Sequence, residues 1–535
     1  MQTMIGFGIK ILLGRSMQLV SKLLAFLFLI NISCNSGVKK RPPNFIIIFA
    51  DDLGYGDLGS YGHPTIRTPY LDKMAREGIR LTQFYVGSSI CTPSRAALLT
   101  GKLPIRTGMY GKRSVLFPDN AGGLDPKEIT IASALKNYDY KTACIGKWHL
   151  GHLKEYMPTN HGFDEFYGIP YSNDMRPESE WDYARDNFPP LPLLDGLDTV
   201  GVSIDQSQFI DMFTKRSIDF IKTNKDKSFF LYLAHTAPHT PLVSSKRKKG
   251  LSIRGAYGDV VEELDQSVGS ILQVLKDLKI ASNTFVIFTS DNGPWGWANV
   301  DGGSSGLLKG NKGSVFEGGY RVPAIAWMPG TIKKGTVSTA LASTLDLYPT
   351  LIAMTGNENS NQEELDGLNI LNTFLKDIPV RHNIHYYRQD TLVGIRHKEW
   401  KMYIRDPNPW NNDLKQGDMP VLYNIEHDPS EKYNIAEDNL DIVNKMYADA
   451  WRPDYIVGIT RGGNVPATII SNMTGIRCEA LKVSLRDDNR ISESACWMAE
   501  DAFGYPHSDS GGQGKNILIV DDINDTGATF NWIVN

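Results

Sequence analysis

The chain has 535 residues, 41% hydrophobic and 22% charged, an ordinary soluble balance in a length that exceeds a single core. Its 56 basic and 60 acidic residues leave a formal net charge of -4, which gives no electrostatic reason to expect a nucleic-acid partner. Five cysteines are too few and too scattered for a disulfide framework, and no CxxC pair suggests zinc.

In chain order, Lys10, Arg15 and Lys22 precede an apolar run from Leu23 to Ile32. The run is too short to span a bilayer and has the form of an export signal, with Met17 as a start of ordinary proportions. Ser33-Cys34 and the flexible exit Asn35-Ser36-Gly37 follow. Residues 1–34 are therefore expected to act as a signal segment that delivers the protein to the periplasm or cell surface. Cys34 is the position for a lipid anchor to the membrane. Phe45–Phe49, Phe229–Leu233 and Phe285–Phe288 are continuous apolar runs, as strands buried on both faces of a parallel sheet require. Helical stretches lie between them, at Thr68–Glu77 and Tyr257–Leu278. In the second, Val261, Leu264, Val268, Ile271, Leu272 and Leu275 share one face. This alternation predicts an α/β sandwich over residues 43–375. From about Asp377 short alternating strands (His385–Tyr387, Leu392–Ile395, Trp400–Ile404) predict a small antiparallel subdomain over 376–445. A third texture, at 450–535, has buried-strand runs at Tyr455–Ile459 and Asn516–Val520, each followed by a glycine-rich loop.

Asp51-Asp52 and Asp291-Asn292-Gly293 close two of the predicted strands. Sites in open α/β sheets lie at the carboxyl ends of strands, and two acidic ends meeting there would suit a hard divalent cation. Cys91-Thr92-Pro93-Ser94-Arg95 begins a predicted helix that runs to Thr100 before Gly101. Residue 91 is thus placed where free backbone N–H groups and the helix dipole favour an anion. Arg95, one turn on, can reach back to the same point.

Cys91-x-Pro93-Ser94-Arg95 with Thr100-Gly101 resembles the signature of type I sulfatases, of the arylsulfatase and N-acetylgalactosamine-6-sulfatase kind. Further stretches match that pattern in order: Asp51-Asp52, Gly146-Lys147-Trp148-His149-Leu150-Gly151, Tyr171-Ser172, Pro238-His239-Thr240-Pro241, Asp291-Asn292-Gly293 and Gly310-Asn-Lys312-Gly313. Glu317-Gly-Gly319 and Leu422-Tyr423 with Asp428-Pro429-Ser430-Glu431 complete it, so the resemblance spans about residues 43–440. It implies an alkaline-phosphatase-like α/β/α sandwich and hydrolysis of sulfate esters. The implied partners are a sulfated carbohydrate or aryl sulfate substrate and a formylglycine-generating or radical maturation enzyme. Cys91 would be converted to formylglycine. One Ca2+ would be held by Asp51, Asp52, Asp291, Asn292 and residue 91. In that family the formylglycine hydrate presents two hydroxyls: one attacks sulfur to form a covalent sulfo-enzyme, and the other collapses to expel sulfate. Arg95, Lys147 and Lys312 would spread the sulfate charge, and Ser172 would line its pocket. His239 would protonate the leaving alcohol, and His149 would position a diol oxygen. Lys309 would sit towards the substrate mouth. Cys144 reads as core, and Tyr55 and Trp295 as aromatics near the site. A phosphonate or phosphate ester hydrolase using the same formylglycine is the alternative within this fold.

The C-terminal texture differs. Asp521-Asp522-Ile-Asn-Asp525-Thr526-Gly527-Ala528-Thr529 follows a buried strand and resembles the phosphoribosyl-pyrophosphate loop of type I phosphoribosyltransferases. Arg461-Gly462-Gly463 after Tyr455–Ile459 resembles that family's pyrophosphate loop. The resemblance implies a Rossmann-like α/β segment and, as an alternative activity, phosphoribosyl transfer in nucleotide salvage. The chain stops at Asn535, shortly after that loop, and the metabolite is cytoplasmic whereas the N-terminus predicts export. The expectation is therefore a partial, inactive transferase segment in a chimeric or truncated reading frame, joined within Leu440–Ala450.

Overall fold

The computed structural model describes residues 41–111, 114–177, 187–356, 364–408, 420–449, 455–460, 467, 478–482 and 517–520. The expected signal segment with Cys34 lies outside them. So do Arg461, Gly462, Gly463, Asp521, Asp522, Asp525, Thr526, Gly527, Ala528 and Thr529. Contacts divide the chain into two units, one running to Leu392 and including Pro429–Glu431, the other formed by Val393–Asp428 and the chain from Lys432 onward.

In the larger unit the first strand, β1 (Asn44–Ala50), has all seven residues buried. The helix α1 (Pro69–Glu77), strand β2 (Ile79–Tyr85) and helices α2 (Cys91–Thr100) and α3 (Ile131–Lys136) follow. Strands β3 (Lys141–Lys147), β4 (Glu165–Ile169), β5 (Pro192–Asp195) and β6 (Asp198–Val202) lead to helix α4 (Phe209–Asn224) and strand β7 (Phe229–Ala234). Helix α5 (Ala256–Asp277), strand β8 (Thr284–Ser290), the single turn α6 (Glu317–Tyr320) and strands β9 (Arg321–Trp327), β10 (Thr336–Ser338) and β11 (Ala342–Ser343) complete the sheet and its first cover. Helices α7 (Leu347–Met354) and α8 (Leu371–Lys376) and strand β12 (Asn383–Arg388) close the unit.

The sheet order is β10-β2-β9-β8-β1-β7-β3-β4-β5-β6, with β11 beside β2. Its centre, β8-β1-β7-β3-β4, is parallel throughout, and antiparallel strands flank it on both sides. Both faces of the centre are covered, which is why its strands read as unbroken apolar runs. Ile46 and Ile48 on one face join Leu71 and Met74 of α1, Phe213 and Ile221 of α4, and Leu264, Val268 and Ile271 of α5 in one core. On the other face Phe45 stacks on Tyr140 at 5.3 Å, and Phe285 meets Phe374 of α8 at 5.2 Å. The predicted three-layer sandwich is present. The antiparallel extension β5-β6 and the helix α4 are additions that no single run announced.

The smaller unit holds an antiparallel ribbon, β13 (Thr391–His397), β14 (Trp400–Tyr403) and β15 (Val421–Asn424), with Gly394 opposite Tyr403 and Trp400 opposite Asn424. Helix α9 (Leu440–Asp449) turns Val443 and Met446 onto Met402 and Leu422 of that ribbon. Beyond it, β16 (Tyr455–Thr460) pairs in parallel with β17 (Cys478–Lys482) and β18 (Ile517–Val520).

One buried ion pair fastens the covering segments to the larger unit. The Arg381 guanidinium lies 2.6 Å from Asp346 Oδ1, and Asp346 also accepts the N–H groups of Ser343 and Leu368. Removing one partner strands the other charge, so Asp346→Ala should lower unfolding stability by roughly 3–5 kcal/mol. Urea denaturation checks this; an unchanged midpoint would contradict it.

Candidate active site

The five central parallel strands end side by side, and polar side chains leave every one of those ends. Asp51 and Asp52 follow β1, Asp291 and Asn292 follow β8, and Lys147 ends β3. Ser172 comes just after β4, and His239 comes from the loop after β7. Backbone bonds tie three of the ends together: Asp51 N–H donates to Ala237 O at 2.9 Å, and Asp291 N–H to Ala50 O at 3.1 Å. Asp52 has φ 64°, a left-handed turn that lets its N–H donate to Asp291 Oδ1 at 3.0 Å. Gly146 is required where β3 passes β7. Its φ is 109°, and a Cβ there would lie 1.9 Å from Ala234 O.

Arg95 occupies the middle and is fully buried. Its Nη2 is 2.7 Å from Asp291 Oδ2 and 3.3 Å from Asp51 Oδ1, while Nη1 donates to Lys147 O at 3.1 Å. Lys147 Nζ donates to Asp51 Oδ2 at 2.7 Å and to Ser172 Oγ at 3.0 Å. Lys312 Nζ donates to Asp52 Oδ2 at 2.8 Å and lies 5.0 Å from the Trp295 ring. His239 Nδ1–H donates to Thr240 O at 2.6 Å, which turns Nε2 inward, 3.5 Å from Asp52 Oδ2. Three carboxylates thus face three fixed cations.

Cys91 is the first residue of α2, preceded by extended Ile90, and Gly101 closes the helix in the left-handed region. All ten helix residues are buried. Burial pushes the Cys91 thiol up, although Lys147 and Lys312 pull the other way. His149, at φ 61°, donates its Nε2–H to Leu116 O at 2.9 Å. Burial, then Lys147 and Arg95, hold the imidazole well below its ordinary value. With Nε2–H committed to Leu116, Nδ1 is left as a buried acceptor without a hydrogen-bond partner.

Burial raises the Asp51 carboxyl, but Lys147 and Arg95 outweigh it and hold it well below the usual range. Asp291 is pushed up to about 7 by burial and by the Asp51 charge, against Arg95. Among the described residues, Asp51, Asp52 and Asp291 offer oxygens within 4.8 Å of one another. Asp51 Oδ1 and Asn292 Oδ1 are buried without a hydrogen-bond partner. Crowded carboxylates and two oxygens free of hydrogen bonds, one of them (Asp51 Oδ1) in ion-pair range of Arg95, form an all-oxygen donor set that fits a hard divalent cation.

The structure brings together Asp51, Asp52, Cys91, Arg95, Lys147, Ser172, His239, Asp291, Asn292 and Lys312. It does not bring Lys309 into this group: its ammonium donates to Glu431 O at 3.3 Å and lies 4.3 Å from the Phe316 ring. Tyr55 donates to Thr82 O and packs edge-on against Tyr61, while Trp295 stands 5.1 Å from the His239 ring. Cys144 is buried within β3. Two supporting carboxylates have no role in the sequence reading. Glu317, fully buried, accepts Tyr85 Oη–H at 2.5 Å and Tyr386 Oη–H at 2.8 Å. Asp57 accepts from Tyr257 Oη–H at 2.6 Å and from the N–H groups of Gly54 and Ser304. Burial pushes its carboxyl up to about 7. Flanking glycines (Gly54, Gly56; Gly318, Gly319) are the one sequence signal that marks both.

The sulfatase family model matches residues 43–357, and the phosphoribosyl transferase domain model matches residues 424–534. N-acetylgalactosamine-6-sulfatase of Sus scrofa is 35% identical over 506 residues, covering 85% of this chain and 94% of that protein. Arylsulfatase A of Homo sapiens is 40% identical over 431 residues, covering 74% of this chain and 83% of its own length. Among solved structures, Ps i-CgsB in complex with k-i-k-neocarrahexaose superposes with a TM-score of 0.66 at 30% identity, covering 77% of this chain and 93% of that one.

The donor set has a consequence measurable without any substrate. Calcium at about 100 times its dissociation constant should stabilise the fold by about 2.7 kcal/mol. Asp291→Asn should abolish most of that gain. Thermal unfolding with and without Ca2+ checks this; an equal shift in both proteins would contradict it.

Proposed function

The chain belongs to the sulfatase family, and on that premise we propose that it hydrolyses the sulfate esters of carbohydrates, with residue 91 matured to formylglycine and a calcium ion held beside it. The observation that carries this reading is the position of Cys91. It opens a buried helix facing Arg95, Lys147 and Lys312, beside three carboxylates at the ends of parallel strands. Burial disfavours the ionised form of the thiol, the form in which sulfur is nucleophilic. Formylglycine at residue 91 would supply a carbon-bound hydroxyl nucleophile and a second hydroxyl for product release, and Asp51, Asp52, Asp291 and Asn292 would hold a calcium ion that supplies a Lewis acid.

The chain's own groups divide the remaining work. Lys147, Lys312 and Arg95 are fixed before substrate arrives, so they neutralise sulfate oxygens without reorganisation. Ser172, held by Lys147 at 3.0 Å, adds a hydroxyl to that pocket. The unpartnered Nδ1 of His149 accepts a hydrogen bond from a hydroxyl on residue 91 and so holds it in position. His239, its Nδ1–H committed to Thr240, directs Nε2 at the departing oxygen and delivers the proton there.

A carbohydrate substrate is supported by relatives named for N-acetylgalactosamine 6-sulfate and by Ps i-CgsB, crystallised with a neocarrahexaose. The proposal includes a maturation enzyme acting on Cys91, and export directed by Lys10, Arg15, Lys22 and the apolar run to Ile32.

Turnover of sulfated mono- and oligosaccharides, set against aryl sulfates and aryl phosphonates, tests the reading. Faster turnover of the phosphonate would reassign the site. Cys91→Ala should reduce sulfate-ester turnover to background and Cys144→Ala should leave it largely intact; equal loss in both would overturn the assignment. His239→Ala should lower kcat by roughly 10²–10⁴-fold on a sugar sulfate. The loss should be far smaller on an aryl sulfate, whose leaving group needs no proton. Equal losses on both would contradict proton delivery by His239.

A further inference from the structure

Pro429–Glu431 belong by their contacts to the larger unit, while the chain on either side belongs to the smaller one. They also lie beyond residue 357, where the sulfatase match ends, and inside the 424–534 stretch matched to phosphoribosyl transferase. Their bonds nevertheless run to the segment that carries Lys312. Ser430 Oγ–H donates to Leu307 O at 2.6 Å, and Lys309 Nζ donates to Glu431 O at 3.3 Å. Glu431 Oε2 accepts the Glu317 N–H at 2.8 Å. That N–H opens the single turn α6 and has no acceptor within it.

Glu431 is fully buried and has φ 51°, a backbone region that a residue with a side chain rarely adopts. A buried carboxylate at such a φ persists only where its surroundings hold it, and this loop supplies the Glu317 N–H to its Oε2 and the Lys309 ammonium to its carbonyl. The opposite side of the loop is already fixed. Lys312 N–H donates to Pro294 O at 3.0 Å, Gly313 N–H to Ser89 O at 2.8 Å, and Gly293 N–H to Gly319 O at 3.0 Å. The first and last of those bonds join it to the Asp291-Asn292 strand end, and the second to the approach to Cys91.

We infer that Glu431 is a positioning residue for Lys312, clamping residues 307–319 so that the ammonium stays at the Asp52 edge of the site. The inference rests on the sulfatase reading for its kinetic consequence but not for its structural one. Loss of the clamp lets Lys312 move by fractions of an ångström, which costs transition-state stabilisation more than substrate binding. The catalytic unit then extends past residue 357, where the family model ends, and the contacts give the Asp428-Pro429-Ser430-Glu431 stretch of the sulfatase resemblance a task as a latch.

Glu431→Ala, Glu431→Gln and Ser430→Ala, each matured alongside the wild type, provide the test. Glu431→Ala should lower kcat on the order of 10- to 100-fold with KM changed less than about threefold. Glu431→Gln, whose amide oxygen still accepts the Glu317 N–H, should recover most of that loss. Ser430→Ala, which leaves the buried carboxylate in place, should show a smaller loss of the same kind and covers the case in which Glu431→Ala does not fold. Amide hydrogen exchange over residues 307–319 should rise in Glu431→Ala and Ser430→Ala and return to the wild-type level in Glu431→Gln. Unchanged exchange in Ser430→Ala, or a kcat loss that Gln does not restore, would overturn the inference. Exchange reports on the latch even if the wild type turns over no sulfate ester, a result that would overturn the functional reading alone.

Discussion

Three carboxylates and three permanent cations meet at the carboxyl edge of the sheet, and the rest of the larger unit is arranged to keep them there. Asp51, Asp52 and Asp291 are buried, as are Arg95 and Lys147. Such charges tolerate burial only in mutual contact, because an unpaired one in a low-dielectric interior is worth several kcal/mol of destabilisation. That constraint explains features that look unrelated along the chain. The positive φ at Asp52 and His149, the forced glycine at 146 and the fully buried helix α2 each place one charge or its neighbour against its counterpart. The same balance makes the site competent for an anion. The cations are positioned before an anionic ester arrives, and the carboxylates that hold them also form the donor set for a divalent cation.

The chemistry of residue 91 follows from this environment. The helix N-terminus and its cationic neighbours favour negative charge, yet burial outweighs them for a thiol. A geminal diol would not be more acidic than the thiol, but it would carry a second hydroxyl on the same carbon, through which sulfate can be expelled. Maturation, as proposed, would thus place at residue 91 a nucleophile that the surrounding charges can use.

Much of this is legible in the sequence where the signal is local. Phe45–Phe49 announces a doubly covered strand, Asp51-Asp52 its end, and Cys91-x-Pro93 with Gly101 a helix with both boundaries. What is not legible depends on contacts that local patterns do not encode. Asp428-Pro429-Ser430-Glu431 reads as part of the sulfatase pattern, but the bond that sets Glu431, to a residue 114 positions away, does not; likewise Asp57 joins Ser304 across 247. Lys309 and Lys312 look equivalent in sequence, but only the second reaches an active-site carboxylate; the first lies against Phe316 and Glu431. The extension β5-β6 reads poorly because Asp198–Val202 is largely exposed and carries little hydrophobic contrast. Two family matches divide the chain at 357 and 424, but the contacts of Pro429–Glu431 do not respect that division.

The most direct test is the mass of the peptide containing Cys91, taken from protein coproduced with a maturation enzyme and shown to turn over a sulfate ester. The account predicts a peptide that has lost sulfur and two hydrogens, gained one oxygen, and reacts with an aldehyde-directed hydrazide. An active preparation in which residue 91 keeps its sulfur would contradict it.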